Sequence, residues 1–215
     1  MAGALRNSAS LASSHLSRLQ DTTAASLVEF AIALPLLVVL VVGIFDFGGA
    51  FNAKQELNNA MREAARFGAA QPTNDLGNTG TVPASVDAIR VLVDSYLQAS
   101  RINDCALSTA VGALAATNIW TFTTTSSGGC VGTMTLTIVR GFSDAGAGNG
   151  GGCGLVANNY GTPNPINGLN IPCTRVTISY PYQWHFNSVI QLVVPGASYG
   201  AFLQIQTDAV VPNMN

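Results

Sequence analysis

Glu29 stands inside the most apolar stretch of this chain, AASLVEFAIALPLLVVLVVGIFDF, residues 24–47. A carboxylate at the middle of a bilayer costs about 2.5–3.5 kcal/mol or more, and less near a boundary where it reaches headgroups. An ionisable group in such a run therefore marks a functional position by default. The plainer alternative is a juxtamembrane glutamate reaching for the headgroups. Pro35 lies six residues further on. It removes one backbone hydrogen bond and crowds the preceding turn, which predicts a kink. Neighbouring helices or local adjustments can satisfy the freed carbonyl, so prolines are tolerated in membrane helices.

Other chemistry is sparse. The four cysteines are Cys105, Cys130, Cys153 and Cys173; none forms a CxxC pair, and the only histidines are His15 and His185. Zinc binding is therefore not expected. All four follow the apolar run, which fits two disulfides in an oxidising compartment. Three connectivities are possible; local loop closure favours Cys105–Cys130 and Cys153–Cys173. Serines and threonines abound, but beyond the apolar run only His185 could serve them as a base. No catalytic set emerges, no cofactor or metal is expected, and His185 reads as structural at an aromatic boundary. Asp208, in a strand, is expected to cap or to pair with Arg175 rather than do chemistry. Tyr180, Tyr182, Trp184 and Phe186 could form a sugar-binding platform, although alternating strand aromatics are more often half core and half surface.

Composition narrows the class. Of 215 residues, 48% are hydrophobic and only 9% charged, against roughly 25% charged in an average soluble domain. A surface with so few charges suits a chain covered by lipid or by other protein. The net charge of −2 provides no electrostatic footprint for nucleic acid. Beyond residue 110 the charged residues are Arg140, Asp144, Arg175 and Asp208, leaving a Thr/Asn/Ser/Gly-rich surface over an apolar core.

The apolar run needs residues 24 to 29 to reach about 33 Å, close to the roughly 30 Å hydrocarbon core. Arg6 and Arg18 precede it in a short tail, favouring a cytoplasmic amino end. A secretory signal peptide is the rival, but the run is longer than the usual ~7–15 residues and no small-x-small cleavage site follows it. The helical pattern continues outward. Ala53, Leu57, Ala60, Met61, Ala64, Ala65 and Phe67 recur on one side. Asn52, Gln55, Glu56, Asn59, Arg62, Glu63 and Arg66 line the other, with Glu63 and Arg66 spaced to pair. Gly68 and Pro72 supply a stop. One bent helix is expected from about residue 25 to 68, some 65 Å long at 1.5 Å per residue. Its outer apolar stripe needs a folded domain or a neighbouring subunit.

Residues 84–100 form a second amphipathic helix through Val86, Ile89, Val93 and Leu97 or Tyr96. Residues 118–125 and 131–140 alternate as a hairpin around the SSGGC turn. Residues 141–172 read as a long glycine-rich loop tied by cysteines. Residues 174–184 form a third strand, with Pro181 limiting its end or making it an edge. Residues 186–194 suggest a short helix and 198–211 a fourth strand. The expected fold is α+β: a long N-terminal transmembrane and amphipathic helix, then a small antiparallel sheet packed on one or two helices, with a long glycine-rich loop. The expected segments are a cytoplasmic leader at 1–24, a transmembrane segment at 25–46, its amphipathic continuation at 47–70 and an extracytoplasmic domain at 71–215.

The segment ASLVEFAIALPLLVVLVVGIFDFGGAFNAKQELNNAMREAARFGA resembles the start of TadE-like proteins, the pseudopilins of the tight-adherence (Tad) pilus machinery. Val28-Glu29-Phe30-Ala31, Pro35 and Ala64-Ala65-Arg66 carry the resemblance, over about 45 of 215 residues. The resemblance implies a pilin-like precursor in the bacterial inner membrane, its amino terminus cytoplasmic and its C-terminal domain outside. A prepilin peptidase would cut between Ala24 and Ala25, where many relatives have glycine before the cut, leaving Glu29 fifth in the mature chain. Glu29, with Phe30 and Pro35 beside it, would then set helix register against a neighbour's new α-amino group. Implied partners are the peptidase, other Tad pilins and pseudopilins, the inner-membrane assembly platform and the lipid bilayer. The alternative class is an unprocessed, membrane-anchored extracellular binding domain, carbohydrate-facing through its aromatics.

Overall fold

A computed structural model describes residues 22–77, 81–116, 118–125, 128–142, 173–186, 196, 200 and 202–213. Helix α1 runs over Thr22–Ala70 and takes in Pro35 without ending there. Helix α2 runs over Ala84–Ala99. A single 3-10 turn, Leu107–Thr109, leads to five strands: β1 Gly112–Ala116, β2 Ile119–Thr125, β3 Thr133–Phe142, β4 Cys173–Gln183 and β5 Phe202–Pro212. They form one antiparallel sheet in the order β1-β2-β3-β4-β5, each strand beside its sequence neighbour. The α+β expectation holds, with one strand more than the sequence pattern predicts.

The chain divides into two compact units, residues 1–47 with 186–198, and residues 48–185 with 199–215. The second holds the sheet and the core. Strand alternation puts Trp120, Phe122 and Thr124 of β2 opposite Ile138, Leu136 and Met134 of β3. Ile138 and Leu136 in turn face Val176 and Ile178 of β4. All eight are buried, because side chains two apart share one sheet face. Leu57, Ala60, Met61, Ala64 and Ala65 of α1 join the same core, as do Val86, Ile89, Val93 and Leu97 of α2. The 3.6-residue period places each of these sets on one helix face. The outward polar set of α1 behaves as its pattern predicts, except that Glu63 and Arg66 form no ion pair. Among the described residues the ion pairs are Arg90–Asp87 at 2.7 Å and Arg175–Asp208 at 3.8 Å.

Helix ends are secured by side chains from elsewhere. Asp75 accepts the Ser85 backbone N–H at 2.8 Å and the Ser85 hydroxyl at 3.0 Å, capping the start of α2. Arg140 closes α1. It is fully buried and donates Nη2 to the carbonyls of Gly68 and Gln71, each at 2.8 Å, and Nη1 to that of Pro72 at 3.4 Å. The Gly68 carbonyl also takes the Gln71 N–H at 3.1 Å; the last carbonyls of a helix have no donor four residues on, and a cation there also suits the helix dipole. Gly68 lets Ile89 of α2 and Thr174 of β4 pack close to α1: a Cβ would lie 2.7 Å from methyl carbons of both.

Several expectations need correction. Strand β1 and the 3-10 turn replace the irregular segment implied between the second helix and the hairpin. Glycine and alanine carry no strand signal, and β1 forms because it pairs with β2. Pro181 does not make β4 an edge; β4 lies between β3 and β5. Proline fits because the β3 ladder stops at Ser179, so Pro181 meets β5 alone, opposite Gln204. The Gln204 side-chain amide donates to the Thr133 carbonyl at 3.0 Å, supplying a donor at the level where proline has none. Strand β3 runs to Phe142, into the expected loop; the rest of that loop, 143–172, lies outside the described residues, as does most of the short helix expected at 186–194.

Candidate functional site

The apolar half of α1 is the first candidate site. Leu27, Val28, Ile32, Leu36, Leu40, Ile44 and Phe47 are exposed, and Phe30 keeps 63% of its surface open. These residues point in every direction round the helix. A helix that is apolar all round is stable only among lipid or other helices. Its mean hydropathy reaches 2.8 over the most apolar window. Residues 25–47 rise about 34 Å at 1.5 Å per residue, enough to cross a hydrocarbon core. The segment is thus compatible with a single-pass membrane anchor.

Glu29 lies one turn into that segment and is exposed. Among the described residues it has neither hydrogen bond nor ion pair. Ala25 and Ala33, one turn to either side on its face, are also exposed and small, leaving room for an approaching chain. Pro35 is half-buried within the helix; its ring removes the donor that the Ala31 carbonyl would otherwise meet. Ala24 falls in the first turns of α1. Asp46, at the far end of the apolar run, is only 2% exposed and accepts the Phe186 backbone N–H at 3.4 Å. The sequence pattern places Asp46 merely among the flanking charges; its partner is 140 residues away, beyond the reach of any local signal.

The cysteines behave as loop closure suggests where they are described. Cys105 and Cys130 form a disulfide with Cα atoms 5.4 Å apart. Cys173 is disulfide-bonded as well, and Cys153, its expected partner, lies outside the described residues. The aromatics do not make a platform. Tyr180 and Tyr182 fall on the core face of β4 and are buried, while Trp184 is half-buried. His185 is exposed, its Nδ1 lying 3.2 Å from the Tyr182 hydroxyl. Gly49 of α1 makes room for that hydroxyl, since a Cβ there would come within 2.5 Å of it. Arg175 and Asp208 pair as expected, on the open face of the sheet.

Residues 24–66 match the family model described as TadE-like protein. That range covers the exposed apolar helix, Glu29, Pro35 and the start of the core-facing stripe. No curated protein and no solved structure matches the chain.

Proposed function

Taking the TadE-like amino-terminal segment as premise, we propose that the chain is a pseudopilin-like structural subunit of a Tad pilus system. It is a membrane-inserted precursor that primes or joins a pilus used in adhesion. Residues 1–24 form a cytoplasmic leader, 25–46 cross the inner membrane, 47–70 continue the helix and 71–215 lie outside. A prepilin peptidase cleaves between Ala24 and Ala25. The other partners are Tad pilins and pseudopilins and the inner-membrane assembly platform.

One observation carries this reading: an exposed carboxylate, Glu29, on an otherwise exposed apolar helix. Water cannot solvate that group once the helix is in lipid, so a cation must. Cleavage before Ala25 creates one, an α-amino group with a pKa of about 8. A helix shifted along its neighbour brings that amine to Glu29, and the pair then fixes register. Pro35 shapes the helix where neighbours meet. The role is structural rather than catalytic.

Mass spectrometry of the protein from its host tests the processing step. The expected amino terminus is Ala25; an intact start at Met1 or Ala2 would support an unprocessed anchored domain instead. Glu29→Ala should abolish incorporation into pili while leaving membrane insertion intact. Normal piliation in that variant would remove the register role.

A further inference from the structure

A cavity of about 280 Å³ opens in the sheet-bearing unit, between the end of α2, the β2–β3 connection and the end of β4. Its walls are fixed before any ligand arrives. The Cys105–Cys130 disulfide pins one wall. Asn103 donates Nδ2 to the Gly128 carbonyl at 2.7 Å and accepts the Cys105 backbone N–H at 2.8 Å, holding the same turn. The Tyr182–His185 contact holds the opposite wall. Tyr180, Gln183, Ile102 and Val131 complete the lining.

Arg101 is the one formally charged residue in this lining. Among the described residues nothing pairs with its guanidinium. Its backbone is unusual too. The N–H of Arg101 donates to the Gln98 carbonyl at 3.0 Å and that of Ile102 to the Leu97 carbonyl at 2.9 Å, the pattern that ends a helix in a left-handed residue. Glycine is the usual occupant of that position, yet Arg101 adopts it with φ 58°. A strained arginine at a cavity, in a chain with 9% charged residues, calls for a reason beyond the turn.

We propose that this cavity binds a single sugar-acid ring of the hexuronate class. Arg101 takes the carboxylate through its planar fork. The hydroxyl of Tyr180 and the amide of Gln183 meet the ring hydroxyls, and Ile102 and Val131 cover its apolar edge. The volume lies just under the usual range for drug-sized ligands, about 300–1,000 Å³, so it suits one ring and not a peptide or nucleotide. One cation matches one negative charge, whereas a phosphate monoester would require more. Burial, with Asp104 and Tyr182 nearby, raises the pKa of Tyr180 and keeps its hydroxyl protonated as a donor. The acid is either free or the terminal residue of a polysaccharide.

The test is calorimetric titration of the full chain in detergent micelles with D-glucuronate, D-glucose, acetate and a glucuronate oligomer. Glucuronate should bind at least about tenfold more tightly than glucose or acetate, as a charged hydrogen-bonded pair supports. Arg101→Gly is the decisive variant, because glycine suits the left-handed backbone and the fold should survive. It should lower glucuronate affinity about tenfold or more, with the near-ultraviolet circular dichroism unchanged. Tyr180→Phe should lower it severalfold. Tighter binding of the oligomer identifies a polymer end as the source, and equal binding identifies the free acid; either supports the site. Equal binding of glucose or acetate, or undiminished affinity in Arg101→Gly, would overturn it. Glu29→Ala should leave the titration unchanged, so failure here is separate from failure of the pilus reading.

Discussion

Arg140 illustrates how one side chain can join elements that the chain keeps far apart. Its guanidinium serves three carbonyls at and just past the end of α1, those of Gly68, Gln71 and Pro72. Arg140→Met should therefore destabilise the fold by about 3 kcal/mol or more, since buried carbonyls lose charged donors. Thermal melting in detergent would read this as a clear drop in Tm; a change within error would mean that water replaces the arginine. Arg140→Lys should recover only part of the loss, because an ammonium cannot fan out to three acceptors. Asp94 offers a pH-dependent case. Burial, and then the neighbouring Asp104, raise its pKa above the ordinary value of 3.8. A carboxyl raised on folding favours the native state below pH 3.8, and that favour is lost as pH rises through the folded pKa. At neutral pH the charged Asp94 is thus a net cost. Asp94→Asn should raise Tm at pH 7 and leave it nearly unchanged near pH 3; the reverse order would refute the assignment.

At the scale of elements, the turn between α2 and β1 is the least self-sufficient part of the fold. Arg101, Cys105 and Ala106 all have positive φ, and none is glycine. Three ties hold them. Arg90 on α2 donates to the carbonyls of Leu107 and Ser108 at 3.0 and 2.9 Å. Asn103 bridges to Gly128, and the disulfide bridges to Cys130. The disulfide closes a separation of 25 residues, for which roughly 3 kcal/mol of stabilisation is typical. Cys105→Ala with Cys130→Ala should lower Tm accordingly and speed proteolysis near residues 101–110 before the sheet is attacked. Uniform digestion would place the weak point elsewhere. Gly68 on α1 makes the same argument by sterics. A methyl group there meets two carbon side chains at 2.7 Å, so Gly68→Ala should cost about 1–3 kcal/mol through overpacking.

For the whole molecule, surface character divides along the chain. Residues 25–47 expose apolar side chains all round, whereas the sheet-bearing unit gathers most of its large apolar residues into a core, leaving Phe51, Val111 and a few others exposed among threonine, serine and glutamine. Lipid suits the first and water the second. The full chain should therefore stay with membranes through alkaline carbonate extraction and partition into the detergent phase. Glu29→Gln should not alter that, since one carboxylate contributes little beside the eighteen apolar residues of 25–47. Release into the soluble fraction would remove the basis for both the anchor and the register role.

Periodicity by itself determined much of this protein. The apolar run, the stripe from Leu57 to Ala65, helix α2 and the Trp120–Phe122 against Leu136–Ile138 hairpin are all local patterns, and local patterns suffice where burial follows a helix or strand period. The Cys105–Cys130 pairing was legible for a similar reason, as a short loop closure. Strand β1 was not, because Gly112–Ala116 has no strand propensity and exists through pairing with β2. Neither were Arg140 on the α1 carbonyls, Asp46 with Phe186, or the cavity around Arg101. Those depend on which distant backbone groups are left without partners once the layers assemble, and only tertiary packing decides that.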